Sequence, residues 1–196
     1  MKHQALTATL LAWACSAALS FAAEPVNLVP NGNFEPGGAV APEQGWELSP
    51  PAWQKQKGFT AEFAHVSGTP GGPFVNSWLQ LTSSASTGTA TATRLVALPA
   101  GTKQVRIVAK FRVDKIEVAA EPKWAGAFIG GAVLDAEKKK LGSMPNPAGL
   151  KKPTEGWVKV DYVMKLPAGA AFLQIVPGLY HASGDFAVDD LEIHAL

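Results

Sequence analysis

The sequence predicts an all-β fold, a two-sheet jelly-roll β-sandwich, and three observations carry that prediction. Apolar residues recur at every second position in several short segments, the period at which a strand turns one face to a core. Stretches rich in Gly, Pro and Ser separate those segments, and none shows the 3.6-residue stripe of an amphipathic helix. Only 17% of residues are charged while Gly numbers 19 and Pro 15, a composition that suits short strands joined by turns.

Met1-Lys2-His3-Gln4 is a short basic start, and Ala5 to Leu19 is an apolar run of secretory length. Ser20-Phe21-Ala22 then offers small residues at both positions that signal peptidase reads. Residues 1–22 are therefore expected to be a signal peptide, with one domain over 23–196 and a secreted or periplasmic location. The apolar run is shorter than the roughly 18 residues of a membrane-spanning helix, and no later stretch reaches that length. Cys15, the only cysteine, falls within the removed segment; Trp13 and the lack of a leading Leu make Ala12-Trp13-Ala14-Cys15 a poor lipidation signal. The mature chain is thus cysteine-free, and at this length one domain buries an adequate core without a disulfide. Losing Lys2 takes the basic count from 17 to 16, equal to the 16 acids, so the mature net charge is near zero. That balance argues against a broad basic surface for nucleic acid or anionic membranes.

The mature chain opens on Asn27-Leu28-Val29-Pro30-Asn31-Gly32-Asn33-Phe34-Glu35, followed by Gly45-Trp46. Pro30 cannot donate to a ladder and Gly32 accepts positive φ, so a sharp bend is expected here, with Phe34 half-buried between polar neighbours. Trp46 to Leu48 and Thr60 to His65 read as short strands, and 67–73 must be loop because of its Gly and Pro density. Trp78 to Leu81 and Thr91 to Val96 follow as strands. The clearest alternation is Val105, Ile107, Ala109, Phe111 and Val113, with Arg106, Val108, Lys110 and Arg112 on the opposite face. Ala125 to Leu134 is apolar on both faces, as in a crowded central strand. Lys138-Lys139-Lys140 and Lys151-Lys152 read as solvated loops. Trp157 to Leu166 places Val158, Val160, Tyr162 and Met164 inward; Leu173 to Val176 and Phe186 to Ile193 complete the set.

The opening motif and the closing Phe186-Ala187-Val188-Asp189-Asp190-Leu191-Glu192-Ile193 together resemble the two ends of galactose-binding-like jelly-roll carbohydrate-binding modules of the family 4/9/22 type. Those modules open on NLV-NG-FE-GW and close on a strand ending in DDL or DNV. The resemblance implies a jelly roll whose last strand lies beside its first, and a non-catalytic role in binding a polysaccharide or oligosaccharide. It also implies a structural Ca²⁺ at that seam, held by oxygen ligands. By motif position its ligands are Asn33 through its carbonyl, Glu35 and Asp189.

Catalytic signals are sparse. The mature histidines His65, His181 and His194 have no metal-ligand spacing, and no nucleophile-elbow sequence occurs. Tyr180-His181 permits a polysaccharide-lyase reading, in which one of them removes a proton alpha to a uronate carboxylate. Asp189 and Asp190 point to opposite faces of a strand unless a bulge intervenes, so they make a poor acid–base pair. The aromatics are more informative, because sugar rings present apolar C–H faces that a flat indole matches. With Leu79 and Leu81 inward, Trp78 and Gln80 share the other face. Trp46 follows the Gly-Trp pattern into the core. Arg106 and Arg112 point outward and offer donors; Trp53 and Trp124 sit in loops suited to cleft walls. The expected ligand-binding set is Trp53, Trp78, Gln80, Arg106, Trp124 and Tyr180. The alternative to sugar binding is a structural or adhesion protein using the same face for protein contact.

Overall fold

The computed structural model describes residues 26–35, 41, 44–49, 59–67, 74–86, 89–145 and 149–196; the expected signal peptide and Trp53 lie outside them. Ten strands are described: β1 (Trp46–Ser49), β2 (Phe59–Ser67), β3 (Phe74–Ser83), β4 (Thr89–Ala97), β5 (Gln104–Val118), β6 (Gly126–Leu134), β7 (Lys140–Ser143), β8 (Val158–Lys165), β9 (Phe172–Tyr180) and β10 (Ala182–Ala195). They form two five-stranded sheets, β1-β4-β9-β6-β7 and β2-β3-β10-β5-β8, antiparallel throughout. The predicted all-β jelly-roll sandwich is the fold observed.

The inward residues of both sheets make one core. Leu79, Leu81, Val105, Ile107, Ala109, Phe186, Val188 and Ile193 enter from one side, and Ala92, Ile129, Leu173, Ile175 and Leu179 from the other. Phe111 meets Phe186 edge-on, with centroids 5.1 Å apart. β5 extends past Val113, where the sequence alternation stops. The ladder to β10 shifts between Asp185 and Phe186, and beyond that bulge Ile116 and Val118 take over the inward positions. The extra residue reverses the phase, so one continuous strand reads as if it had ended.

The two ends of the described chain are tied together. Asn27 bridges His194, the Leu28 N–H donates to the Ile193 carbonyl (2.7 Å), and the Asn27 side chain accepts from the Ile193 N–H (3.0 Å). Gly32 sits so close to β10 that a Cβ would lie 1.9 Å from the Leu191 carbonyl oxygen. No other residue fits at that approach. Phe34 and Trp46 pack at 5.8 Å, with the buried Arg94 guanidinium over Trp46 at 5.6 Å. Desolvation lowers the Arg94 pKa. A second shift in β10 falls between Asp189 and Glu192, and Asp190 there adopts φ 46°. The bulge that would separate Asp189 from simple alternation is therefore present.

Candidate functional site

Among the described residues, outward-facing aromatic side chains gather in two places, on opposite outer faces of the sandwich. The first is on the β1-β4-β9-β6-β7 sheet. Leu173, Ile175 and Leu179 of β9 point inward, which turns Gln174, Val176, Gly178 and Tyr180 outward. Tyr180 stacks on Phe128 of β6 (4.3 Å, 21°). Its ring lies against two glycines: a Cβ at Gly178 would fall 2.7 Å from the ring, and one at Gly130 would fall 3.0 Å from its hydroxyl. Trp124, from the loop before β6, is 52% exposed. Its ring stands edge-on to Phe128 (6.5 Å), Tyr180 (6.2 Å) and His181 (5.2 Å). The loop is held by Ala119 N–H to the His181 carbonyl, Ala125 N–H to Pro122, and the Lys151 ammonium donating to the Lys123 carbonyl. Trp124 is thus a braced indole in solvent.

Beneath and beside these rings the outward positions are small, Gly130, Gly178, Thr91 and Ala132, and all four are buried. At its other end Gly45, Glu47, Thr93, Leu95, Leu134, Lys138 and Gln174 line a cavity of about 520 Å³. Gln174 and Tyr180 are six residues apart on one strand, so aromatic end and polar end are separated by about 20 Å.

The second gathering is on the outer face of β2-β3-β10-β5-β8. Trp78 and Gln80 share that face as their alternation with Leu79 and Leu81 predicts, and the Trp78 indole N–H donates to Gln80 Oε1 (2.9 Å). Arg112 lies beside Trp78 and Trp157, its guanidinium carbon 5.1 and 5.0 Å from their ring centroids. The two indoles meet at 74°, 6.2 Å apart. Arg106 shares the face but is committed elsewhere, its guanidinium donating twice to Asp161 (2.8 and 2.6 Å).

The expected ligand set therefore does not line one groove. Trp124 and Tyr180 come together, Trp78 and Gln80 come together, and the sandwich separates the pairs. Arg106 is spent on an ion pair with its neighbouring strand. Sequence reasoning left out Phe128, Arg112 and Trp157. The outward parity that selects Arg106 selects Arg112 equally. Only the register, with Phe111 opposite Val158, brings Trp157 beside Arg112.

At the seam, the Glu35 carboxylate accepts the Ser77 N–H (2.9 Å), and Asp189 accepts from the Asn76 amide (3.2 Å) and the Asp190 N–H (2.7 Å). Asp189 is buried, and desolvation raises its pKa. Asn33 is exposed and lines a small crevice with Asn27, Asn31, Gly32, Asp190 and Glu192. Among the described residues no group of three or more His, Cys, Asp or Glu converges as a metal site. The Tyr180 hydroxyl donates to the Val176 carbonyl (2.6 Å), and burial pushes its pKa well above the ordinary tyrosine value.

No protein-family model matches the chain, and no curated protein matches it by sequence. Solved structures do match by fold. The CBM22-1 xylan-binding domain of Paenibacillus barcinonensis Xyn10C aligns with a TM-score of 0.52 at 15% identity, over 87% of this chain and 95% of that one. A cyclase from Fischerella sp. TAU aligns with a TM-score of 0.54 at 12% identity, over 86% and 96%. The enzymatically active domain of tailspike protein 4 of bacteriophage CBA120 aligns with a TM-score of 0.57 at 14% identity, over 87% of this chain but only 21% of that one. The fold is that of jelly-roll carbohydrate-binding modules, as the end motifs imply. A cyclase with the same fold shows that the fold does not decide the function.

Proposed function

We propose that this chain is a secreted, non-catalytic carbohydrate-binding protein that lays a polysaccharide or oligosaccharide across the outer face of the β1-β4-β9-β6-β7 sheet. The observation that carries this reading is the braced, 52% exposed Trp124 indole at one end of that face. A sugar ring stacks on the indole, and Glu47, Thr93 and Gln174 at the other end offer polar groups for the hydroxyls of a longer chain. The xylan-binding domain of like fold supports sugar as the ligand class. The non-catalytic reading is supported by Tyr180, whose hydroxyl is engaged as a donor and whose raised pKa keeps it from acting as a base. Export rests on residues 1–22; among the described residues no helix is long and apolar enough to cross a membrane.

Native gels cast with soluble glucan, xylan or mannan test the binding. The mature chain should be retarded by one of them, and Trp124→Ala should lose at least about tenfold in affinity with its folding intact, as expected for a central aromatic contact. Unchanged retardation of Trp124→Ala would place the sugar elsewhere. Failure of the wild type on all three would move protein contact to first place.

A structural Ca²⁺ at the seam belongs to the same proposal. Glu35, Asp189 and the Asn33 carbonyl supply only hard oxygens, which suits Ca²⁺. Because both acids already accept internal N–H groups, backbone carbonyls or water must complete the sphere. The ion would brace the first motif against β10 without touching sugar. Thermal unfolding should shift upward with calcium and back with chelator, and Asp189→Asn should abolish the shift; a wild type indifferent to both treatments has no such site.

A further inference from the structure

The face opposite Trp124 carries a second arrangement with different chemistry. Across β3, β10 and β5 the register sets Gln80, Ala187 and Arg112 in one row. Ala187 has only a methyl group, so the Trp78 indole reaches over β10 to Arg112. The guanidinium then stands in the corner of two indoles that meet at 74°. This fixes its plane, and the side chain keeps 24% of its surface in solvent.

Its donors are less committed than those of Arg106, Lys110 and Lys159 beside it. Arg106 is held twice by Asp161, Lys110 lies 2.6 Å from Asp190, and Lys159 lies 3.7 Å from Asp161. Arg112 has only Asp114, 3.2 Å from its Nε, and that contact lacks hydrogen-bond geometry: Nε is buried with no bonded acceptor among the described residues. Neither terminal nitrogen bonds a described acceptor, and the side chain is partly exposed. A planar fork with both terminal nitrogens uncommitted, set between aromatic walls, matches a carboxylate bidentately. The indoles beside it match the apolar face of a pyranose. Gln80 accepts the Trp78 indole N–H through its oxygen and directs its amide nitrogen to the Leu81 carbonyl (3.5 Å), so it orients Trp78 and leaves the corner to Arg112.

We infer that the Trp78–Arg112–Trp157 corner is a second binding site, selective for a polysaccharide whose sugars carry a carboxylate. The acid group pairs with the Arg112 fork while the ring lies against an indole. This site is independent of the Trp124 face, and either can fail alone.

The test is affinity electrophoresis of the mature chain in polygalacturonate, neutral galactan and dextran sulfate, for wild type, Arg112→Gln, Arg112→Lys and Trp124→Ala. Near-UV circular dichroism checks the fold of each variant. Wild type should be retarded by polygalacturonate and released by high salt. Arg112→Gln should lose at least about tenfold in affinity, in the range of a charge-assisted bidentate contact. Arg112→Lys should lose nearly as much, because an ammonium keeps the charge and not the fork. Trp124→Ala should bind polygalacturonate as wild type does. The site is overturned if Arg112→Lys binds like wild type, or if Trp124→Ala abolishes retardation. It is equally overturned if polygalacturonate retards no better than galactan, or if dextran sulfate alone retards the protein.

Discussion

The two outer faces hold their aromatic rings in different ways. On one, Trp124 meets Phe128, Tyr180 and His181 at steep ring angles and keeps half of its surface in solvent. On the other, Trp78 and Trp157 are supported through their faces by a guanidinium whose side chain is only partly exposed. An indole braced by other rings and half exposed makes a stacking platform suited to a neutral sugar. Face support makes walls around a charge, suited to an acidic one. Identical side chains thus acquire different chemistry from what touches them.

The sharpest way to break this contrast is Gly178→Val. Its side chain would collide with the Tyr180 ring and with Thr91, each 2.7 Å from a Cβ at that position. Overpacking should cost about 1–3 kcal/mol in urea denaturation. It should also abolish neutral-sugar retention by displacing the brace under Trp124, while polygalacturonate binding persists. Retention at wild-type strength would mean that Trp124 does not depend on Tyr180.

Smaller in effect is Tyr162→Phe, on the inner side of the charged face. The Tyr162 hydroxyl is buried without a hydrogen-bond partner among the described residues, and desolvation pushes its pKa up to about 12. Removing an unsatisfied polar atom should raise stability by about 1 kcal/mol and leave both binding activities unchanged. A loss of stability would show that the hydroxyl is bonded after all.

The smallest expected effect separates two acids on the same sheet by pH. Desolvation raises the Asp189 carboxyl, so the native state takes up that proton before the unfolded chain does. With calcium chelated, its contribution should make the protein more stable as pH falls through the raised value toward the unfolded value of about 3.9. Asp161, lowered chiefly by its hydrogen bonds from Arg106, acts in the opposite sense. Its contribution is present above about 3.9 and is lost below it, as pH falls through the folded value. Asp189→Asn should therefore flatten the stability profile only above that point. A profile unchanged by the substitution would remove Asp189 from the account.

The fold was legible wherever a strand keeps one phase. Val105 to Val113 declare themselves because each second side chain is buried, and Leu79 and Leu81 place Trp78 and Gln80 outward for the same reason. Past Val113 the signal fails, since the bulge opposite Asp185 and Phe186 is a property of two strands and leaves no mark in one. The candidate site failed on the same ground. Parity gives a side chain its face but not its neighbours across the ladder. Arg106 and Arg112 are equivalent until register sets Asp161 against one and Trp157 against the other. Trp124 and Tyr180 fall into the same cluster only because β6 and β9 pair along their length, which brings the start of one to the end of the other.

The bridge of Asn27 to His194 has a mechanical consequence. In an antiparallel pair the chain before Asn27 and the chain after His194 leave from the same rim. Tension between the two ends would open the seam like a zip, with the Asn27 and Leu28 bonds to Ile193 taking the strain first.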